Sequence, residues 1–534
     1  MDGLPGAGGT DGGPSHCACR CGRRPRPGRC HPADTRPSSD GDHDGHWLRR
    51  SSPGEGRPAP TPGCQCSQMT DAPVRGRSED AAMDLAQEIS HRPPDVPGGW
   101  PLLGHIVPIL RRPLEFLPST AAYGDVVKVR FGRLPIYVVT HPDAVREVLV
   151  PGDLDYTRGR IFDKLEPALG KGIATVSGAE HRRQRRLLQP VFARERLIGY
   201  AAIMRTAAEQ VTASWRDGQV LAMDEVMNDL ALTALTRSLF SFAARPDTAE
   251  AIKEGMRSLT HGLLLRTVLP TAWERLPTPG NLRFRRAMAT MHRAIDDLIT
   301  AYRDAGQDRG DVLSALLTVR DEDGGGLPDE EIHAQVTTLA LTGIEAPGAA
   351  LGWVLYEIGR APEIAGRVRA EIDGVLGDRT PTFDDLPALG YLNRVINEVL
   401  RLRTPLVFMR RTLRPVRVGR TTIPAGSEVI YSPYLLHHDA RWFPDPLRFD
   451  PDRWLPENAG RIPKGAYVPF AAGAYQCIGK LFATTELAMA AATIFARWTP
   501  RPVEDAPVRE IATALVRPSR LPMTVHLRTR TDRG

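Results

Sequence analysis

Apolar side chains recur at intervals of three and four residues over most of the chain beyond residue 142, which is the period of amphipathic α-helices. Two shorter apolar runs, 126–131 and 136–139, are joined through Gly132 and Pro135 and are typical of a β-hairpin. The pattern predicts a mainly α fold with small β regions (α+β), one near each end of the folded part. Helices are predicted over residues 180–192, 195–216, 222–241, 283–306, 310–320, 328–360, 362–376, 388–403 and 479–498, and further strands over 416–420 and 429–432.

Residues 1–90 lack this periodicity and are rich in Gly, Pro, Arg, Ser and Asp. Such a segment cannot bury enough apolar surface to offset the entropy lost on ordering, so we expect it to be disordered. It has no apolar stretch of the kind found in secretory signals, and Met69 and Met83 are candidate translation starts. The sequence therefore predicts a disordered tail over 1–90 and one folded domain over 91–534.

The charge and hydropathy of the chain exclude two classes of partner. The formal net charge of +6 is small for 534 residues, and no long run of Lys and Arg falls on a predicted helix, so nucleic-acid binding is not expected. No stretch approaches the ~20 consecutive apolar residues of a membrane-spanning helix. We therefore expect a soluble, cytoplasmic protein, and we expect it to be a monomer.

The cysteines are distributed unevenly. Only Cys477 belongs to the predicted folded domain, and a domain with one cysteine cannot form an internal disulfide, which agrees with a reducing compartment. The N-terminal Cys-x-Cys-x-Cys cluster lacks the paired Cys-x2-Cys spacing of zinc sites, although a metal site there stays open as an alternative. The six N-terminal cysteines are Cys17, Cys19, Cys21, Cys30, Cys64 and Cys66.

Cys477 lies in a glycine-containing loop immediately before the last predicted helix. At that position backbone N–H groups and the positive helix end lower the pKa of a thiol, which favours a thiolate metal ligand. Gly473 and Gly479 permit a tight backbone path on which a flat macrocycle can lie, and Phe470 can shield the sulfur from water. The alternative is an ordinary buried cysteine in a loop that the glycines merely cap.

The segment Phe470-Ala-Ala-Gly473-Ala-Tyr475-Gln-Cys477-Ile-Gly479 resembles the haem loop of the cytochrome P450 family, Phe-x-x-Gly-x-Arg-x-Cys-x-Gly. Every fixed position matches except the arginine, where this chain has Tyr475. The resemblance implies a long central helix above haem b (iron protoporphyrin IX), the thiolate loop beneath it, and Cys477 as the iron ligand. It also implies that one arginine anchor of a haem propionate is missing, for which Tyr475 could donate a single uncharged hydrogen bond.

Two further segments resemble the family at the expected distances. Glu398 and Arg401 are three residues apart on one helical face, as in the family's Glu-x-x-Arg, and Arg453 follows in a Phe-Asp-Pro-Asp-Arg-Trp segment. Alone, such an ion pair is usually a solvated surface feature. The resemblance implies that these three residues form a buried network that supports the haem loop and takes no part in catalysis.

The cofactor anchors implied by the resemblance are basic. His181 and Arg185, four residues apart, match a family pattern directed at the haem propionates, although a solvated basic helix face is the alternative. Arg410 resembles another propionate-binding arginine, and Arg411 is equally placed in the sequence. The remaining arginines are expected to form a face that docks an acidic electron donor.

The centre of the helix predicted over 328–360, about 50 Å long at 1.5 Å per residue, resembles the segment that activates oxygen in the family. Gly343 and Glu345 match, but Ala346 stands where the family has threonine. Pro347 cannot donate to the carbonyl of Gly343, so that carbonyl needs another partner. Thr342, Glu345 or a substrate hydroxyl could replace the missing alcohol, which makes Glu345 and Thr342 the candidate catalytic residues. Alternatively, Thr342 bonds its own backbone.

The reaction implied by the resemblance is insertion of one atom of O2 into an unactivated C–H bond, with electrons from ferredoxin and a ferredoxin reductase. The segment from Ile423 to Trp454 resembles actinomycete members that oxidise cyclic terpenes, which favours a small hydrophobic substrate such as a sesquiterpene or a related terpenoid. Oxidation of a polyketide or another secondary metabolite is the alternative within the enzyme class. A haem-thiolate ligand sensor or a redox-neutral isomerase is the alternative of another class.

Overall fold

The computed structural model describes residues 92–150, 154–240, 275–321 and 324–529, together with positions 248, 250–252, 254, 255, 257 and 258. All of them belong to the compact unit Arg75–Gly534. The predicted tail over 1–90, with its six cysteines, lies outside the described residues and stays a prediction.

Helices dominate the described part of the chain, and the predicted mainly α class is confirmed. Several helices have a proline in their first turn, as at Pro279 and Pro362. The N–H groups of the first turn have no partner within the helix, so the missing N–H of proline costs no hydrogen bond there. The helices are α1 (Ile106–Arg111), α2 (Pro113–Ser119), α3 (Pro142–Leu149), α4 (Arg160–Leu169), α5 (Gly178–Leu188), α6 (Arg194–Ala213), α7 (Met223–Leu239), α8 (Pro279–Ala305), α9 (Val312–Thr318), α10 (Asp329–Thr342), α11 (Glu345–Gly359), α12 (Pro362–Leu376), α13 (Gly390–Leu402), α14 (Pro433–His437), α15 (Pro456–Ala459) and α16 (Lys480–Arg497).

The predicted N-terminal hairpin is present and forms one edge of a five-stranded sheet of order β1-β2-β8-β5-β3. Within that sheet β2 is parallel to β8, and β5 is antiparallel to both β8 and β3. A three-stranded sheet of order β4-β12-β9 and the hairpins β6–β7 and β10–β11 complete the β regions that the structure describes. The strands are β1 (Val126–Phe131), β2 (Leu134–Val139), β3 (Tyr156–Arg158), β4 (Gln219–Ala222), β5 (Phe408–Thr412), β6 (Val416–Val418), β7 (Thr421–Ile423), β8 (Glu428–Tyr431), β9 (Trp498–Pro502), β10 (Glu510–Ala512), β11 (Val516–Pro518) and β12 (Pro522–Leu527).

The largest core surrounds α16, the helix that follows the Cys477 loop. Its middle turns carry Ala488, Ala490, Ala491 and Ala492, none more than 2% exposed, and these small side chains let α6 and α11 pack closely against it. The last helix is therefore held on several sides, which fixes the position of the loop at its N-terminal end.

The prediction of one helix over 328–360 is wrong in one respect, because the structure divides this stretch into α10 and α11. Gly343 leaves helical geometry, with φ −95° and ψ 6°, and Ile344 separates it from the start of α11. The physical cause is Pro347, whose nitrogen has no hydrogen for the carbonyl of Gly343. The interruption lies at the candidate catalytic segment.

Among the described residues, one stretch, Asp329–Gly359, is long and apolar enough to cross a membrane by length and composition alone. Of its most apolar window, 67% is buried inside the protein. A core helix of a soluble protein has this composition because it is apolar on most sides.

Candidate active site

The loop that carries Cys477 closes on itself before α16 begins. The backbone N–H of Cys477 donates to the carbonyl of Phe470 at 2.9 Å. Gly473 has φ +69°, and a side chain there would overlap the carbonyl oxygen of Leu149, so only glycine fits. Gly479 has an ordinary backbone conformation, and an added Cβ would meet only the Cys477 sulfur. Unlike Gly473, it is therefore not required by the backbone path, and it lies next to the sulfur.

The Cys477 side chain is exposed and contributes to a cavity of about 300 Å³ that Arg185 and Lys480 also line. Although this cavity reaches the sulfur, protein surrounds most of it, and this burial raises the pKa of the thiol. The N–H of Gly479 and the Arg185 guanidinium lower the pKa of Cys477, but less than burial raises it. The loop N–H lowers the thiol pKa as expected, but burial outweighs it, and a metal ion bound to the sulfur would favour the thiolate.

A cluster of cations lies near the loop. Arg158 on β3 is paired across the sheet with Arg410 on β5, so the two side chains share one face. Both guanidinium groups lie over the ring of Tyr475, with ring-centre distances of 4.5 Å for Arg158 and 4.6 Å for Arg410. The His181 ring is 4.4 Å from the same tyrosine ring, so Tyr475 holds three basic side chains together.

The cluster contains more positive charge than its surroundings balance. Burial, and then the neighbouring Arg410, lower the pKa of Arg158 to about 9. Burial, followed by Arg158, Arg185 and Arg410, lowers the pKa of His181 to about 3. Within the described residues no carboxylate pairs with these arginines, and the buried Nδ1 of His181 has no hydrogen-bond partner. Such a cluster fits a ligand that carries acidic groups.

The structure distinguishes the two arginines that the sequence left equivalent. Arg411 pairs with Glu428 and with Asp163, each at 2.7 Å, so carboxylates of the protein already neutralise it. Arg410 is 3% exposed and donates to the carbonyl of Met409 at 2.9 Å, and it belongs to the cluster.

Arg183 and Arg185 also differ in whether a carboxylate of the protein neutralises them. Arg183 binds Glu180 on its own helix and Glu331 on α10. Arg185 donates to the carbonyl of Gln476 at 2.6 Å, next to the cysteine. Part of the basic face of α5 is thus an ordinary ion-pair surface, whereas Arg185 reaches the Cys477 loop.

The sequence did not indicate Arg158, and it indicated Tyr475 only through its hydroxyl. The Tyr475 hydroxyl lies 3.4 Å from the N–H of Gly178, which donates to it, and the ring supports the guanidinium groups. Arg158 also donates to the carbonyls of Ile173 at 2.7 Å and Val176 at 3.2 Å, which fixes its direction. No motif marks Arg158, because its position depends on strand pairing with residues some 250 positions later.

The interrupted helix exposes Thr342 and Ala346, four residues apart, between the buried Leu341 and Pro347. The hydroxyl of Thr342 donates to the carbonyl of Thr338 at 2.9 Å, which is the arrangement of the alternative interpretation. Glu345 lies between the two exposed positions, and the Thr513 hydroxyl approaches its carboxylate at 3.5 Å.

The Glu398 network has the geometry that the sequence indicated. Arg401 binds both carboxylate oxygens of Glu398, at 2.8 and 2.9 Å, with both side chains fully buried. Arg453 approaches the same carboxylate at 3.4 Å, and Trp454 donates to it at 3.0 Å. Arg401 also donates to the carbonyl of His437 at 2.7 Å, so one carboxylate and one guanidinium join α13 to the segment before the loop.

This combination of helical fold, cysteine loop and buried Glu-Arg network defines a haem-thiolate protein, and comparison with known proteins gives the family. The sequence profile described as "Cytochrome P450" matches residues 93–525. The chain belongs to the cytochrome P450 family, and it is a haem-dependent oxidoreductase of that family.

Three relatives from Streptomyces share about two fifths of their residues with this chain. Cyclooctat-9-en-7-ol 5-monooxygenase of Streptomyces melanosporofaciens is 41% identical over 76% of this chain and 89% of its own length. Pentalenene oxygenase of Streptomyces avermitilis is 39% identical over 81% and 97%. Cyclooctatin synthase of S. melanosporofaciens is 40% identical over 77% and 91%.

Among solved structures, the haem domain of cytochrome P450DA has a TM-score of 0.74 at 23% identity, covering 83% of this chain and 99% of that one. Retinoic acid-bound cyanobacterial CYP120A1 has a TM-score of 0.73 at 24% identity, with 82% and 99% covered. These likenesses confirm the fold.

The residues present fit haem. Its two propionates would provide the negative charge that Arg158, Arg410 and His181 lack among the described residues, and the unpartnered Nδ1 of His181 is a free position for such a contact. Cys477 offers a soft sulfur ligand suited to iron.

Proposed function

We propose that this protein is a cytochrome P450 monooxygenase that hydroxylates or further oxidises an unactivated C–H bond of a cyclic terpenoid. The observation that carries the assignment of the site is the Cys477 thiol beside a buried cation cluster with no carboxylate partner among the described residues. The substrate class is supported by the names of the Streptomyces relatives, which act on cyclooctat-9-en-7-ol and on pentalenene.

In this proposal Cys477 would hold the haem iron through its sulfur, to which the N–H of Gly479 donates. Gly473 lets the loop pass Leu149, and Phe470 anchors the loop through its carbonyl. The ring of Phe470 is expected to shield the sulfur. Bound haem would supply the chemistry of dioxygen activation, in which one oxygen atom enters the substrate C–H bond and the other leaves as water at the cost of two electrons and two protons.

The propionates are held by four basic side chains in this proposal: His181, Arg158, Arg185 and Arg410. Arg158 takes the place of the arginine that the haem loop lacks, because Tyr475 presents it to the cluster at 4.5 Å. His181 stays neutral, since its pKa of about 3 keeps it uncharged, and it can donate one N–H or accept one.

Glu345 is the group that carries protons to the site in this proposal. It is partly buried and lies between the exposed positions Thr342 and Ala346, next to the helix interruption that Pro347 causes. Ala346 has no hydroxyl, so proton transfer along this helix depends on the carboxylate.

The electron donor is an acidic ferredoxin, reduced by a ferredoxin reductase, as is usual for bacterial members of the family. The cavity beside Cys477 is lined by the cations Arg185 and Lys480 and opens to the surface, which suits an acidic partner that must approach the sulfur. A monomeric, cytoplasmic protein agrees with this supply of electrons.

The test is a spectral and product screen with purified protein. Pentalenene and cyclooctat-9-en-7-ol should shift the ferric Soret band toward the high-spin form, and NADH with ferredoxin and its reductase should give a product heavier by one oxygen atom. Macrolides form the comparison set. A spectral shift and product only with macrolides would contradict the terpenoid assignment, and binding without any oxygenated product would favour a ligand sensor.

A further inference from the structure

The hydroxyl of Thr513, in the hairpin turn between β10 and β11, lies between two oxygen atoms. It is 3.5 Å from Oε1 of Glu345 and 3.1 Å from the carbonyl oxygen of Leu515. We propose that Thr513 is the positioning residue of proton delivery in this chain, because its hydroxyl lies within reach of Glu345 and can hydrogen-bond to that carboxyl group in both of its protonation states. The inference rests on the proposed monooxygenase function and assigns a hydroxyl from another element to the site where Ala346 has none.

The hydroxyl at the C-terminal end of α10 is already engaged. Thr342 donates to the carbonyl of Thr338 at 2.9 Å, inside its own helix, and Ala346 has no polar atom. Thr513 belongs to a different element, yet the turn is held against the site: Leu406 N–H donates to the carbonyl of Ala514 at 3.1 Å. A hydroxyl fixed in this way can act on Glu345 without moving the helix.

The two oxygen neighbours let Thr513 respond to the charge on Glu345. A hydroxyl has one hydrogen to donate and two lone pairs that accept. When Glu345 is ionised, Thr513 donates to its carboxylate. When Glu345 is protonated, its O–H donates to Thr513, whose hydrogen turns to the carbonyl of Leu515. Glu345 therefore takes up and releases a proton without losing this bond, and no electrons move.

A small cavity borders the same carboxylate. It has a volume of about 30 Å³ and is lined by Asp224, Asn228, Glu345, Ala349, Arg517 and Pro518. This is roughly the space of one water molecule, and Asp224, Asn228 and Arg517 could serve as its polar partners. In the proposal, Glu345 takes a proton that solvent supplies through a water in this space, and releases it toward the exposed positions Thr342 and Ala346.

The test compares Thr513→Val, which keeps the shape and removes the hydroxyl, with Thr513→Ser, which keeps the hydroxyl. In turnover with a bound terpenoid, Thr513→Val should raise the share of electrons lost as peroxide by about threefold or more, since proton-transfer groups contribute ~10²-fold or more to rate. Thr513→Ser should restore coupling, and Thr524→Val on β12 is the matched control that should leave it unchanged.

A second measurement needs no turnover. The carboxyl infrared band of Glu345 in the ferric protein, identified by its loss in Glu345→Gln, gives the pKa of this group by titration. Thr513→Val should raise the pKa of Glu345 by roughly half a unit to one unit, because the hydrogen bond to the ionised carboxylate is stronger than the bond to the protonated form, so the ionised form loses more. Thr513→Ser should return the pKa of Glu345 to the wild-type value. If Thr513 only stabilised the fold, Thr513→Val would change neither the loss of electrons as peroxide nor this pKa.

The outcomes separate the two proposals. Unchanged coupling together with an unshifted Glu345 pKa in Thr513→Val would overturn the role of Thr513 while leaving the monooxygenase intact. Peroxide that rises in Thr342→Val and not in Thr513→Val would also overturn it, in favour of the helix alcohol. If no terpenoid binds, the proposed substrate fails, and the infrared titration still decides whether Thr513 acts on Glu345.

Discussion

Arg158 and Arg410 are paired across two neighbouring strands, and their guanidinium groups both lie within 4.6 Å of the centre of the Tyr475 ring. Two cations this close repel each other, and burial increases the cost. The aromatic ring offsets part of it, and an anionic ligand would offset the rest. The stability of this arrangement should therefore depend on bound haem.

The first prediction concerns Arg158, which the sequence did not single out. Arg158→Gln removes one of the charges that face the propionates, so haem should dissociate roughly tenfold faster, a loss of ~1.4 kcal/mol. Transfer of haem to excess apomyoglobin measures this rate. A variant that keeps its haem as firmly as the wild type would show that Arg158 does not hold a propionate.

The second prediction compares two arginines on one helix. Arg185→Ala should reduce haem retention because Arg185 reaches the Cys477 loop through the carbonyl of Gln476. Arg183→Ala is the matched control, since its charge is already taken by Glu180 and Glu331. The haem content of the purified proteins, from the pyridine haemochrome spectrum, is the measurement, and equal losses would favour a solvated basic face.

The third prediction separates the ring of Tyr475 from its hydroxyl. Tyr475→Phe should keep nearly all the haem, because the ring that supports Arg158 and Arg410 remains and only the 3.4 Å contact with Gly178 is lost. Tyr475→Ala removes the ring and should lose haem readily. If Tyr475→Phe loses haem as fast as Tyr475→Ala in the same dissociation assay, the hydroxyl is the important group.

The fourth prediction is the pH dependence of stability. His437 is fully buried, lies 3.0 Å from the carbonyl of Arg401 through Nδ1, and accepts the N–H of Val468 at Nε2, also at 3.0 Å. Burial holds the pKa of His437 well below its ordinary value of 6.5, so the folded protein keeps this ring neutral.

Because the folded pKa of His437 is lowered, the unfolded chain binds the extra proton, and stability is fully present above pH ~6.5 and is lost as the pH falls. One proton corresponds to a slope of ~1.4 kcal/mol per pH unit. His437→Asn should be less stable at neutral pH. As the pH falls, its free energy of unfolding in urea should decrease less steeply than that of the wild type, by a slope that corresponds to about one proton. An identical slope in both proteins would contradict the account.

Much of the fold could be predicted because the signals are local. Helix α12 has its predicted bounds, with Pro362 in its first turn and Gly377 directly after its last residue. Helix α4 was not predicted, since Pro167 lies inside it and interrupts the periodic pattern. The division into α10 and α11 was missed because the sequence showed that Pro347 frees a carbonyl, but not whether the helix would bend or stop.

In the candidate site too, the residues that could be predicted are those carried by local signals. Cys477 and the Glu398 network are carried by short motifs, which the sequence displays. Arg158 and Thr513 depend on which distant elements come together, and no spacing along the chain reveals that. For the pKa of Cys477, the sequence indicated the backbone N–H that lowers it but not the surrounding protein that raises it more.

The most direct test of the central claim, that Cys477 is the iron ligand, is the absorption spectrum of the reduced protein with carbon monoxide. Deletion of residues 1–82 removes the other six cysteines and makes Cys477 the sole thiol, which provides a clean background for Cys477→Ser. With Cys477 as the ligand, the full-length and shortened proteins should both show the red-shifted Soret band of a thiolate ligand, and the serine variant should lose it. A wild-type band at the position of a histidine-ligated haem, or a red-shifted band that survives Cys477→Ser in the shortened protein, would contradict it.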